Sequence, residues 1–457
     1  MDKMLIVSAD GHAGAPPDAY LDYIEEEYRE DLKALVDIDQ SWRDSAPTQR
    51  RYTDATLDLV DRGEAIRGGG EFGAYELDRR LMELDREGVA AEILIPGHQV
   101  AMLPFFSVIN HPYPADHRAA GARAYHRQLA DVLAEADGRL YGIGDPGPCT
   151  DMEATVRELR WLSDHGFVGV APPGVVADPA LPPLVDRYYE PFWAACVDTD
   201  LAVVVHAGYG LGQYGKEQGE MLAMMVGQLG VEETLRAQFT AEVSIDQFPE
   251  DSPVRAAITG PRRIFWQLML AGVFDRYPQL KLVLTEIRAD WVPATLDLLD
   301  RQLPPADHGL SMSPRDYWHR HVYVTPSSPR PYEIDMRHQI GIDRFMFGMD
   351  YPHPEGTWPN TREWVRHAFA GVPEDQARQI LGLNAIDCFG LDKDRLAAVA
   401  DKIGIVPREL LGAHEVDERI LTSFHDRSGY QRPQEVVDPD FYGRMLVSDI
   451  EAVATRR

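Results

Sequence analysis

Short apolar runs that stop at a polar or turn residue, each followed by a helical stretch, constrain this chain more than any other feature. They lie at 4–10, 89–95, 140–144, 167–170, 201–208, 280–286, 322–325 and 345–350. Continuous apolar runs suit strands buried on both faces, as in parallel sheets covered by helices. Helical stretches are predicted over 76–87, 115–137, 151–165, 184–198, 261–274, 292–303 and 374–381. Eight strands alternating with helices predict an α/β fold, a (β/α)8 TIM barrel, with its site at the carboxyl ends of the strands. Residues 13–75 after the first strand keep no steady period and predict an N-terminal insertion, a lid or small cap. The barrel domain is predicted over 1–392, insertion included. A C-terminal helical extension follows over 393–457, with segments at 394–403 and 415–424.

The strand ends carry the chemistry. Asp10-Gly11-His12 closes the first run, and this spacing puts a carboxylate and an imidazole on one side of an extended chain, within reach of one metal ion. An Asx turn with an incidental histidine is the plain alternative. His206 ends the fifth run just before Gly208 and Gly210, and Glu286 ends the sixth. In Phe345-Met346-Phe347-Gly348-Met349-Asp350-Tyr351-Pro352-His353-Pro354, three apolar residues lead to an aspartate in a proline-stiffened loop. A buried Asp350 needs hydrogen bonds or a metal to offset its desolvation, although a turn or a helix cap would also place an aspartate there. His98 follows the second strand, where a loop histidine is more often solvated.

Composition limits the partners. Lys+Arg total 45 against 74 Asp+Glu, a formal net charge of −29, which repels nucleic acid and anionic membranes. A metal or an arginine can still make one site locally positive for a small-molecule substrate. Only three cysteines occur, Cys149, Cys196 and Cys388, so neither a disulfide framework nor a cysteine-rich zinc site is expected. The first apolar run ends too soon, at Asp10, for a signal peptide or a membrane span, so a cytoplasmic protein is expected.

Together these strand ends resemble the amidohydrolase superfamily, in its amidohydrolase-2 branch, the aminocarboxymuconate-semialdehyde decarboxylase-like proteins. The resemblance runs over roughly residues 4–392. It rests on Asp10-Gly11-His12, on Val204-Val205-His206, on Gly272-Val273-Phe274-Asp275-Arg276-Tyr277-Pro278 before the sixth strand, and on Gly348-Met349-Asp350-Tyr351-Pro352-His353. It implies that Asp10, His12, His206 and Asp350 hold one divalent metal, zinc foremost, with manganese admitted by the carboxylate-rich shell. Binuclear members use a lysine on the fourth strand, and none stands there. Relatives in the family are often dimers or tetramers, so a homo-oligomer is expected.

The sequence departs from the decarboxylases at the sixth strand. They place a histidine there; this chain has Glu286 and no histidine from 207 to 285. Glu286 would then act as general base beside a metal-activated water, with Asp350 orienting that water. This favours hydrolysis of a C–N bond, amide or imine, in a small carboxylated or aromatic substrate. Arg288, Arg79 or Arg80 would bind a substrate carboxylate, and His353 would contact the substrate. The alternatives are a nonoxidative decarboxylase or C–C bond hydrolase acting on a small aromatic or unsaturated acid, and a noncatalytic barrel serving as a binding module.

Overall fold

A computed structural model describes residues 3–45, 54–97, 114–174, 181–207, 253–412, 414–427, 446–451 and 453. Seven parallel strands pair in sequence order: β1 (Ile6–Ala13), β2 (Val89–Pro96), β3 (Leu140–Gly144), β4 (Phe167–Val170), β5 (Ala202–His206), β6 (Leu282–Thr285) and β7 (Val322–Thr325). The eighth segment bridges both ends of this sheet. Phe345 and Gly348 bridge to Val324 and Ser327, and Tyr351 bridges to Gly11. Met346 N donates to Val324 O at 2.9 Å, while Ala9 N donates to Phe347 O at 2.8 Å. The ring is therefore closed as a TIM-like barrel, but its last member makes isolated bridges rather than a regular strand. Close approach is one reason: a Cβ on Gly348 would sit 2.7 Å from Asp10 Cβ.

Alternation sorts the side chains. Val7, Ala91, Ile93, Ile143, Ala202, Val204, Val283 and Met346 fill the interior. Ile6, Leu94, Val203, Val205, Leu284 and Phe347 face the surrounding helices. A register shift between Ser8 and Gly11 adds one residue to β1 against β2. The bulge reverses the phase, so Asp10 and His12 join the interior face used by Val7. His12 pairs in register with Ile95, itself an interior residue.

The opposite end of the barrel is plugged. Cys388, Phe389 and Leu391 share the interior cluster with Leu5, and so do Leu396 and Ala400 from the helix Lys393–Ile403. The extension expected from 393 thus begins inside the barrel's own core. The insertion after β1 folds into helices, including the short Pro17–Asp22 and Gly70–Ala74 and the longer Arg29–Ser45. It packs on the loop after the eighth segment, where Tyr351 Oη donates to Gly70 O. The expected helix start at 261 is corrected to Pro253, with Pro261 inside the helix Pro253–Leu270. No helix among the described residues is long and apolar enough to cross a membrane.

Candidate metal centre

Strands β1, β5 and β6 and the eighth segment deliver one cluster to the carboxyl-terminal mouth of the barrel. Asp10, His12, Glu286 and Asp350 are buried, and His206 and His353 are partly exposed. His12 Nε2 lies 3.2 Å from Asp350 Oδ1 and 3.8 Å from Asp10 Oδ1. His206 Nε2 lies 3.9 Å from Asp10 Oδ1 and 2.8 Å from Glu286 Oε2. His353 Nδ1 lies 3.1 Å from Asp350 Oδ1, and its ring stacks on His12 with centroids 3.9 Å apart.

Backbone geometry aims these groups. Glu286, Ser328 and Asp350 follow three neighbouring strands, and all have positive φ, at 54°, 55° and 57°. Non-glycine residues rarely adopt this region, and such strain collects at functional sites. Asp350 N donates to Asp10 O at 2.9 Å, which fixes the two aspartates against each other. Ser8 Oγ donates to the same carbonyl at 2.7 Å and accepts from Met349 N at 2.9 Å.

The donors fit a cation. Asp10 Oδ1, both carboxylate oxygens of Asp350 and His206 Nε2 are buried and make no hydrogen bond of good geometry among the described residues. Such atoms are costly unless something else satisfies them. Nδ1 of His206 lies 2.9 Å from Ala207 O, to which it donates as N–H, leaving the Nε2 lone pair for a metal. Ligand atoms bound at ~2.1 Å to one ion lie roughly 3–4.2 Å apart, close to the spacings here. Asp10, His12 and His206 form one group able to share an ion, His12, Asp350 and His353 a second, and Asp10, Glu286 and Asp350 a third.

Electrostatics points the same way. Burial, with the charges of Glu286 and Asp10, holds the Asp350 carboxyl well above the usual range. Burial, aided by Glu286, pushes Asp10 up to about 7, against the opposing pull of His206 and the Ser327 hydrogen bond. Burial lowers His206, but the Glu286 and Asp10 carboxylates outweigh it and raise the imidazole to about 9. Protons here stand where a dication would offset the same negative charge.

Six of the residues singled out in the sequence therefore meet: Asp10, His12, His206, Glu286, Asp350 and His353. The arginines do not join them. Arg79 donates to Gly68 O at 2.6 Å and Ala65 O at 3.0 Å and pairs with Glu83 at 2.6 Å, so it clamps the insertion. Arg288 is buried against Asp290 at 3.1 Å and Glu333 at 3.2 Å, which gives no geometric support to a substrate role. Arg80 is fully buried on Glu92 at 2.8 Å and donates to His12 O at 2.9 Å. His98 lies outside the described residues. Sequence reasoning passed over Ser327, whose hydroxyl donates to Asp10 Oδ2. The signal was present: Ser327-Ser328 sits between two prolines directly after the β7 run.

A family model described as Amidohydrolase matches residues 96–391, and the chain belongs to the amidohydrolase-2 family of enzymes. It is 26% identical over 286 residues to the gamma-resorcylate decarboxylase of Rhodococcus jostii, covering 60% of this chain and 77% of that one. An amidohydrolase from Mycobacterium avium subsp. paratuberculosis has a similar fold, with a TM-score of 0.58 at 17% identity over 85% of this chain and all of its own. So does a 5-carboxyvanillate decarboxylase from Novosphingobium aromaticivorans with bound manganese, with a TM-score of 0.54 at 17% identity over 85% of this chain and 97% of its own.

Proposed function

We propose that this protein is a metal-dependent, nonoxidative decarboxylase of a small hydroxylated aromatic acid. The carrying observation is the convergence of Asp10, His12, His206 and Asp350, with buried oxygens of Asp10 and Asp350 lacking hydrogen bonds of good geometry among the described residues, in a chain similar to a gamma-resorcylate decarboxylase. That similarity favours decarboxylation over the C–N hydrolysis expected from Glu286. The absence of a histidine on β6 was the ground for hydrolysis, and it does not outweigh the relatives.

Asp10, His12, His206 and Asp350 would hold the ion. When bound, a dication anchors the substrate's oxygens and draws electron density from the ring. Manganese suits the carboxylate-rich donors better than the zinc expected from the family, and the similar 5-carboxyvanillate decarboxylase contains it. Asp350 is the acid. Burial and the charges of Glu286 and Asp10 favour a proton on its carboxyl, and the oxygen not turned to the ion would carry it. It passes that proton to the ring carbon bearing the carboxylate. The C–C bond breaks, its electron pair stays on the ring carbon to form the new C–H bond, and carbon dioxide leaves. Solvent then reprotonates Asp350. His353, partly exposed and stacked on His12, faces the incoming ring.

The test uses manganese-loaded protein and a panel of hydroxylated benzoic acids in deuterated water. Equimolar carbon dioxide and arene, with one deuterium at the vacated carbon, is the expected result. Release of ammonia or amine from amides, with no carbon dioxide from any of the acids, would return the assignment to hydrolysis.

A further inference from the structure

Decarboxylation needs no water to be activated, so the role expected of Glu286 as general base has nothing to act on. Its position suggests another. The Glu286 side chain is 3% exposed and ends 2.8 Å from His206 Nε2. In the metal-free protein this contact, with its charge, raises the imidazole, so the two groups stand close enough to share a proton. An ion at Nε2 would displace that proton and would lie beside the Glu286 oxygen, 2.8 Å from the nitrogen. Nδ1 of the same ring is tied to Ala207 O, so Nε2 is the metal-facing nitrogen.

A second observation is independent of His206. Glu286, Asp10 and Asp350 each bring a carboxylate oxygen within 4.8 Å of the other two. Three carboxylates gathered in one buried mouth favour a bound cation. The positive φ of Glu286, 54°, turns its side chain in at the end of β6.

We infer that Glu286 is a further ligand of the ion held by Asp10, His12, His206 and Asp350, and that this third carboxylate shifts the site's selectivity from zinc toward manganese. Carboxylate oxygen is a hard donor and imidazole a softer one, so each added carboxylate moves selectivity toward the harder ion. The inference rests on the metal reading of the site but not on the reaction.

The experiment measures metal affinity, not turnover. Manganese and zinc dissociation constants are determined by chelator competition for the unmodified protein and for Glu286→Gln. Partners that merely orient a ligand change affinity by about 10–100-fold, so loss of a ligand should weaken manganese at least ~10-fold, with a smaller loss for zinc. Unchanged manganese affinity would overturn the inference. Should the variant fail to fold, crystals of the unmodified protein soaked in manganese decide. A direct Glu286 oxygen–manganese bond is expected, and a water standing between them would refute it. A protein that binds manganese through Glu286 but releases no carbon dioxide would sink the proposed reaction and leave this assignment intact.

Discussion

Asp10 is held from three directions. Its carbonyl accepts from Asp350 N and Ser8 Oγ, and its Oδ2 accepts from Ser327 Oγ, which leaves Oδ1 facing the two imidazoles. Ser327 therefore chooses which oxygen of Asp10 is offered to an ion. Ser327→Ala should weaken manganese binding about 10–100-fold, as loss of a ligand's supporting hydrogen bond commonly does. Ser327→Thr should restore most of it. Equal affinities for all three proteins, measured by chelator competition, would show that Ser327 only fills space. At this scale the sequence was informative about what ends each strand and silent about what pairs with what. Asp10 and His12 could be read as ligands because their spacing fixes their side. Arg288 looked available because a sequence does not show that the distant Glu333 is there to hold it, whereas Glu83, four residues after Arg79 on one helix, was a partner the spacing already offered.

Elements meet at Arg80. Its helix, Leu77–Glu87, brings the guanidinium to Glu92 on β2, with Nε at 2.9 Å, and to His12 O and Gly73 O at 2.9 Å each. One side chain thus ties the end of β1, strand β2 and the insertion. Burial pushes Glu92 up to about 7 even though Arg80 pulls it down. Removing one partner of a buried ion pair leaves the other uncompensated, so Arg80→Ala should cost about 3–5 kcal/mol of stability. Urea unfolding checks this, and a loss below ~1 kcal/mol would mean that the pair is solvated or replaceable. Elements were legible where apolar runs were bounded sharply: β3, β4 and β7 match the expected 140–144, 167–170 and 322–325. Strand β1 ran on to Ala13 because a bulge lets Asp10-Gly11-His12 stay in the ladder, which apolar patterning cannot reveal. The eighth segment was read as a strand and makes only bridges, since Gly348 and the positive φ of Asp350 interrupt it.

For the whole molecule, Leu391, Leu396 and Ala400 close one end of the barrel, and the charged cluster sits at the other. The far end of the chain also returns to the body: Asp449 accepts from Trp266 Nε1 at 2.7 Å and from Arg263 Nη2 at 2.7 Å. Neither contact had a sequence signal, because both join residues far apart in the chain. The cluster sets a pH dependence. Asp10, at about 7, lies above the ~3.9 of an unfolded aspartate, and Asp350 is raised too. A carboxyl raised on folding contributes stability that is fully present below its unfolded value and lost as pH rises through its folded value. Metal-free protein should therefore melt lower at pH 8 than at pH 5.5. Manganese should reverse much of that loss by offsetting the carboxylates' charge, and its binding stabilises by about 2.7 kcal/mol at a hundredfold excess over Kd. Thermal melts in chelator and in manganese test this; a metal-free protein that gains stability from pH 5.5 to 8 would contradict it.

The most direct test of the account is elemental analysis of tag-free protein beside its Asp350→Asn variant, both reconstituted with manganese and desalted. The account predicts about one ion per chain in the unmodified protein, from four converging ligands of a single centre, and little in the variant. A variant that keeps its full complement, or an unmodified chain that holds none after reconstitution, would contradict it.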